Sequence, residues 1–448
     1  LPKRLGKKGL FLEVEIGEIL EGEVLDLTLE GEGVVKPCGF TVFVPFALPG
    51  EQIKFKITQL KKNYGRGELL DLIKASPFRI EPLCPLHFKC GGCTFGHLTY
   101  EEELALKTKI STSIIQRIGK LNDFVFQKAI KAPSPYRYRN KATLHYSISQ
   151  KRLGYYIAKS NTVLPFEDCL LLPEALNQLI RLTEKILERK NIEGIDDVTF
   201  RYSFSTAEKM IIFHTAYKAK VSLQKAAEML FAEDEKLMGI VAENGKAKTV
   251  LKGKNWFSEK IEDLTFRLSS SSFMQINPKQ ARALYVAAED YSELTGKENL
   301  LDLYCGIGTF TLFLAKKAAK ATGIEQNKEA ISDALFNARQ NNLEAKTQFI
   351  CGKTEETIAQ LFSTEKFEVI MADPPRAGIR EAVLENIVQS KIERLVYVSC
   401  NPATLARDLK FLSVRSFDLS KAQLIDMFPR TGHVETVCLL TSKIKAFE

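Results

Sequence analysis

From Phe273 onward, short apolar runs alternate with stretches whose apolar residues return every third or fourth position. Residues 300–303, 321–324, 369–372 and 396–399 are runs of the first kind. Short apolar runs bounded by Gly, Asp or Pro read as strands of a parallel sheet covered on both faces. The stretches between them read as amphipathic helices. Ala281, Leu284, Tyr285, Ala288 and Tyr291 mark one buried stripe, and Leu405, Leu409 and Leu412 another. Asn277-Pro278 and Asn401-Pro402 stand where a helix cap and a first helical residue belong. The alternation predicts a doubly wound α/β domain over residues 271–448.

Upstream the period changes. In residues 12–74, Ile53-Lys54-Phe55-Lys56-Ile57 alternates apolar and basic, and glycines at 31, 33, 39, 50, 65 and 67 supply turns. A small β-barrel of OB type over residues 1–75 fits, and so does a purely structural β module. Thr99-Tyr-Glu-Glu102 is a capping box that opens a helix on Leu106, Ile110, Ile114 and Ile118. Residues 76–270 otherwise mix strands (199–204, 210–214) with helices (Leu176, Leu179, Ile180, Thr183 and Leu187, then Leu223, Ala226, Ala227 and Leu230), an α+β domain. The whole reads as a multidomain α/β protein.

Composition narrows the class. At 448 residues the chain can build two or three domains with their own cores. No apolar run nears the roughly 18 residues of a membrane span, and no signal peptide is visible, so a cytoplasmic protein is expected. The net charge of +8, with clusters at Lys3-Arg4, Lys7-Lys8 and Lys61-Lys62, tilts toward a polyanionic partner; a solvated basic surface accounts for it equally well. Nine cysteines, an odd number, point to a reducing cytosol, where clustered thiols serve metal or catalysis.

Four stretches carry candidate chemistry. Cys84, Cys90 and Cys93 place a C-x-x-C pair and a third thiol close together, and Cys169 is the best fourth ligand. Four thiolates suit zinc or an iron–sulfur cluster, and a single C-x-x-C leans to the cluster. His87 and His97 read as ordinary polar residues. Asp302-Leu-Tyr304-Cys305-Gly306-Ile-Gly308-Thr309 is a strand running into a Gly-rich turn, with Cys305 a small packing residue. Glu325 ends the next strand about 20 residues on, where a carboxylate accepts ribose hydroxyls. Thr311 replaces the third glycine of the dinucleotide fingerprint, so a nucleoside without pyrophosphate, S-adenosylmethionine, fits better. Asp373-Pro-Pro-Arg376 ends a later strand. Enzymes that methylate exocyclic amines carry an aromatic fourth residue there, and Arg376 argues against that reaction.

The last stretch is Ser399-Cys400-Asn401-Pro402. Cys400 ends a strand beside a helix N-terminus, where a thiolate can be held as a nucleophile. A thiolate that adds to C6 of a uracil turns C5 into a nucleophile for a methyl sulfonium. A separate base must then remove the C5 proton. Glu435, an acid on an otherwise apolar strand, is the candidate; a structural salt bridge is its bland reading, and His433 reads as an ordinary histidine. Tyr136-Arg-Tyr-Arg139-Asn-Lys141 interleaves aromatics with cations, as base-stacking surfaces and exposed strand edges both do.

Together these residues resemble the bacterial RNA uracil-5 methyltransferases, specifically the branch acting on 23S ribosomal RNA. The likeness covers nearly the whole chain. It rests on Phe-x-Gln-x-Asn at 273–277, Asp-Leu-Tyr-Cys-Gly-x-Gly at 302–308, Asp-Pro-Pro-Arg-x-Gly at 373–378, Ser-Cys-Asn-Pro at 399–402 and His-x-Glu at 433–435. The resemblance implies a TRAM barrel, a central domain with a [4Fe-4S] cluster on Cys84, Cys90, Cys93 and Cys169, and a Rossmann-like methyltransferase domain. It implies that the helix at about 99–118 packs on the catalytic domain. It implies cofactor contacts at Gln275, Tyr304, Gly306, Glu325 and Asp373, with Thr309 in the same set although some members carry Asn there. Tyr304 stands where the family often has Phe. Cys400 is the implied nucleophile and Glu435 the base, in an enzyme expected to be monomeric. RNA cytosine-5 methyltransferases carry an additional cysteine where Pro374-Pro375-Arg376 stands, which favours uracil. A non-catalytic RNA-binding factor is a further alternative, and so is a tRNA uracil-54 enzyme. That tRNA family usually lacks both barrel and cysteines, so residues 12–93 point to ribosomal RNA.

Overall fold

The computed structural model describes residues 14–215, 220–245, 247–390 and 392–443. The Lys3-Arg4 and Lys7-Lys8 clusters and the first residues assigned to the barrel lie outside them. Two compact units emerge: residues up to Ile110 together with Arg430–Gly432, and Ser111–Pro429 together with the chain from His433.

The first unit holds a six-stranded sheet in the order Ile19–Glu23, Gln52–Leu60, Gly65–Lys74, Val42–Pro45, Glu32–Val35, Asp26–Leu27. Ile53, Phe55 and Ile57 point into one core with Val35, Val42 and Val44, while Lys54 and Lys56 face out. The two-residue alternation therefore did what a half-buried strand requires. The helix Tyr100–Gly119 follows the capping box, and the division between units falls within it.

The second unit carries two large sheets. One has seven strands, with Lys141–Ser147, Ile195–Tyr202 and Lys209–Thr215 at its centre. The helices Glu174–Lys190 and Lys220–Glu233 lie against it. The other has eight strands in the order Thr347–Cys351, Lys320–Glu325, Asn299–Leu303, Val369–Ala372, Arg394–Ser399, Glu435–Ser442, Phe417–Ile425, Val125–Ile130. Its first five strands are parallel, and Glu435–Ser442 runs antiparallel to Arg394–Ser399. Both faces are covered. Val369 and Met371 enter one apolar cluster, whereas Ile370 and Ala372 enter the other. That division explains why these strands read as unbroken apolar runs. Ile115, on the second half of the Tyr100–Gly119 helix, packs in the cluster with Leu405 and Leu409.

One strand was not anticipated. Val125–Ile130, from the middle of the chain, forms the edge beside Phe417–Ile425. It is mostly half-exposed, so it lacks the apolar run of the inner strands. Its partner lies far away in sequence, where no local pattern reaches.

Candidate active site

The strand order puts several carboxyl ends along one edge of the eight-stranded sheet, the usual ligand edge of open α/β sheets. Ala372 is level with Tyr397, so Asp373 and Cys400 leave their parallel strands on the same side. Ser399 pairs with Thr436 across the antiparallel join. One step further along each chain brings Cys400 opposite Glu435. Cys400 is half-buried. Glu435 is 2% exposed, and its Oε1 is buried with no hydrogen-bond partner. An orphaned carboxyl oxygen in such a place, with no ion-pair partner among the described residues, makes Glu435 a candidate functional group.

The electrostatics correct one expectation. Burial, then Glu435 and Asp373, push the Cys400 thiol above its ordinary value, while Arg376 and a backbone hydrogen bond pull it down. This balance favours the neutral thiol over the thiolate expected beside the helix N-terminus. That terminus is satisfied by its own cap: Asn401 Oδ1 accepts from the N–H groups of Ala403 at 3.0 Å and Thr404 at 3.5 Å. Burial lifts Asp373 to about 7. Burial and the nearby Asp373 hold Glu435 well above the usual carboxylate range, against Arg376. Two buried carboxyls side by side resist ionising together.

Local bonds fix these groups. Asn401 Nδ2 donates to the Arg376 carbonyl at 3.2 Å, and Thr404 Oγ1 donates to it at 3.1 Å, so the helix start holds the loop that follows Asp373. Gly378 has φ +80°, and a Cβ there would stand 2.5 Å from Asp408 Oδ2. Only glycine fits. Asn277 caps the helix Pro278–Ser292 and also donates to the Met427 carbonyl at 3.3 Å, on the approach to Glu435. His433 lies beside Arg376, Nδ1 to guanidinium at 3.5 Å.

The Gly-rich turn follows Asn299–Leu303. Tyr304, Gly306 and Gly308 all have positive φ, and no atom lies within 4 Å of where a Cβ of Gly306 would stand. Glu325 Oε2 accepts the Gly306 N–H at 3.3 Å, and Oε1 accepts that of Asn327 at 2.8 Å. Open backbone and an adjacent carboxylate suit a nucleoside ribose. Thr311 donates to Asp302 Oδ2 at 2.5 Å, which accounts for a threonine at the third-glycine position. Asp302 is 1% exposed, its Oδ1 has no partner, and burial raises it to about 8 despite the Thr311 bond. Sequence reading passed over Asp302, although it opens the motif. Thr309 begins the helix Thr309–Ala315 and bonds Tyr285. Gln275 is 5% exposed, and its carbonyl accepts from Asn140 at 3.2 Å. Cys305 packs on Gly323, whose Cβ would meet its Sγ at 2.8 Å.

Cys84, Cys90 and Cys93 are half-buried in the first unit, Cys169 is half-buried in the second, and none forms a disulfide. The Gly92 N–H donates to Cys90 Sγ at 3.4 Å. Among the described residues, no three His, Cys, Asp or Glu side chains gather closely enough to hold a metal ion. His87 and His97, each 1% exposed, bond each other at 2.8 Å, and burial lowers them to about 4 and about 3. Within the Tyr136–Lys141 run, Tyr138 and Asn140 are buried and Lys141 is exposed. Arg137 forks onto Asp168 with two bonds of 2.6 Å, and the buried Tyr138 donates to the Pro429 carbonyl at 2.9 Å. Arg137 and Tyr138 thus have partners within the fold. Among the described residues, no helix is long and apolar enough to cross a membrane.

Comparison with known proteins gives consistent matches. Residues 99–443 match the family described as tRNA (Uracil-5-)-methyltransferase, and residues 13–70 match the TRAM domain. An uncharacterized RNA methyltransferase of Halalkalibacterium halodurans is 36% identical, over 96% of this chain and 98% of its own. One from Listeria innocua is 39% identical, over 95% and 98%. Among solved structures, the Pyrococcus abyssi tRNA (uracil-54, C5)-methyltransferase in complex with S-adenosyl-L-homocysteine superposes with a TM-score of 0.77. It is 26% identical and covers 94% of this chain and 99% of its own.

Proposed function

The chain belongs to the RNA uracil-5 methyltransferase family, and from that premise we propose that it methylates C5 of a uridine in 23S ribosomal RNA. Its fold is the class I S-adenosylmethionine-dependent methyltransferase fold with an N-terminal TRAM domain. One observation carries the chemistry: the sheet register sets a half-buried thiol opposite a buried, unpartnered carboxyl.

Cys400, once deprotonated, gives its electron pair to C6 of the uracil, and the C5=C6 pair moves onto C5 and O4 as an enolate. Arg376 is the cation that favours the thiolate. When bound, S-adenosylmethionine supplies an electrophilic methyl on a cationic sulfur, and a cation favours the ionised forms of Asp373 and Glu435. Glu435 then takes the C5 proton. The C5–H electron pair restores C5=C6, the S–C6 bond breaks, and the thiolate leaves. Glu325 holds the ribose hydroxyls, Gly306 gives the backbone approach, and Gln275, Tyr304, Thr309 and Asp373 complete the cofactor pocket.

Ribosomal RNA as the substrate rests on the four-cysteine set together with the motif series. A tRNA uridine is the second reading, and the Pyrococcus match favours it. That match covers 94% of this chain, and the uncovered share is too small to contain the barrel. A barrel therefore does not separate ribosomal from transfer RNA enzymes. We further propose that Cys84, Cys90, Cys93 and Cys169 hold a [4Fe-4S] cluster; the C-x-x-C spacing and an N–H directed at the Cys90 sulfur suit one. The enzyme would then act as a monomer in the cytoplasm. Offering the purified enzyme 23S ribosomal RNA and bulk tRNA from cells lacking it, and mapping 5-methyluridine, tests the substrate. New 5-methyluridine in 23S RNA supports the reading; modification confined to tRNA overturns it.

A further inference from the structure

Three residues near the C-terminus belong with the far end of the chain. Arg430–Gly432 are part of the first compact unit, whereas Pro429 before them and His433 after them belong to the second. The first unit grips this tripeptide from several sides. The Arg430 N–H donates to Glu103 Oε1 at 2.7 Å, and its guanidinium reaches the carbonyl of Leu98 at 2.7 Å and Glu103 Oε2 at 3.4 Å. In return, the Arg430 carbonyl accepts the N–H groups of Thr94 at 2.7 Å and Phe95 at 3.0 Å. Thr94 Oγ1 accepts the Gly432 N–H at 3.2 Å. A Cβ on Gly432 would stand 1.8 Å from the Leu29 carbonyl oxygen, so no side chain fits.

Two features mark this as a built clamp. Arg430 has φ +66°, a conformation a residue with a Cβ keeps only when its surroundings hold it there. Glu103 and Lys107 are both wholly buried, with the ammonium 2.7 Å from the carboxylate. A buried pair costs desolvation, and here it keeps a carboxylate where the Arg430 backbone needs an acceptor.

Glu435 comes three residues after Gly432. It is the first residue of its strand, in register with Ile425, and the residues just before it lie outside the strand. Its Oε1 has no hydrogen-bond partner. The backbone entering Glu435 is therefore a second constraint, beside the sheet, on where that carboxyl lies. We propose that Glu103 is a positioning residue for Glu435, acting with Lys107 and Thr94 through the clamped Arg430–Gly432 segment. The inference rests on the reading that Glu435 removes the C5 proton.

The test separates two steps in single turnover, with RNA tritiated at uridine C5: covalent adduct formation, and tritium release. Glu103→Ala should slow tritium release about a hundredfold, the scale of an ångström-sized misplacement of a reacting group. Adduct formation should stay within about threefold, and cofactor affinity should not change. Glu103→Gln keeps an acceptor for the Arg430 N–H and should recover most of the loss. Thr94→Val, which removes one hydrogen bond, should slow the same step about fivefold. If Glu103→Ala does not fold, the Gln and Val variants carry the test. Adduct formation and tritium release falling together would overturn the clamp. So would unchanged release while Glu435→Gln traps the adduct. If Glu435→Gln traps nothing, the underlying base assignment fails and the clamp with it.

Discussion

Replacing Glu435 by Gln keeps the shape of a buried side chain and removes its capacity to take a proton. Loss of a positioned base slows proton transfer about a hundredfold to ten-thousandfold. Adduct formation uses Cys400 and is not slowed, so protein covalently joined to methylated RNA should become the main species. The geometry also gives a second readout. Residues opposed on antiparallel strands have Cα atoms about 5 Å apart. A unit charge at that range, at an effective dielectric near 20, is worth up to about 3 kcal/mol against the thiolate. Burial and Asp373 raise the Glu435 carboxyl, so its charge, and with it the penalty on the thiolate, grows as pH rises. The Gln variant should therefore gain on wild type in the rate of adduct formation as pH rises. Denaturing gels of quenched reactions with labelled RNA read both rates. Release of methylated RNA at the wild-type rate would refute the reasoning, as would complete loss of methylation with no trapped species.

Other expectations follow from the same site. Arg376 is a group that lowers the Cys400 thiol, so Arg376→Ala should shift the alkaline rise of adduct formation to higher pH; an unmoved profile would count against it. Asp302 is raised from 3.8 to about 8, so the folded state keeps a proton that the unfolded chain has released. Its contribution is lost as pH rises through that window. Asp302→Asn should gain stability relative to wild type by up to about 1.4 kcal/mol per pH unit between pH 4 and 8, read by urea melts. Parallel melts of the two proteins would contradict it. Protein purified without oxygen should be brown and contain iron; zinc in place of iron would overturn the proposed cluster.

What the sequence disclosed was local or followed from strand direction. Asn277-Pro278 and Asn401-Pro402 cap their helices as their residue types dictate. Parallel strands send Asp373 and Cys400 to one edge wherever the strands stop. What stayed hidden depends on distant partners. Burial and the carboxyls of Asp373 and Glu435, far away in sequence, raise the Cys400 thiol, and the local motif shows neither. Arg137 and Tyr138 look like nucleic-acid ligands until Asp168 and the Pro429 carbonyl appear beside them. Val125–Ile130 joins a sheet whose other strands begin far along the chain, and Arg430 meets Glu103 across a similar gap.

The central claim is that sulfur at position 400 bonds to the pyrimidine before the carbon at C5 is methylated. Target RNA carrying 5-fluorouridine tests it most directly, because fluorine at C5 cannot leave as a proton. Incubated with S-adenosylmethionine, the wild-type enzyme should become permanently joined to that RNA through Cys400, as peptide mapping reads, and Cys400→Ala should bind cofactor yet form no such species. Unlinked wild-type protein, or linkage through any other residue, would contradict the account.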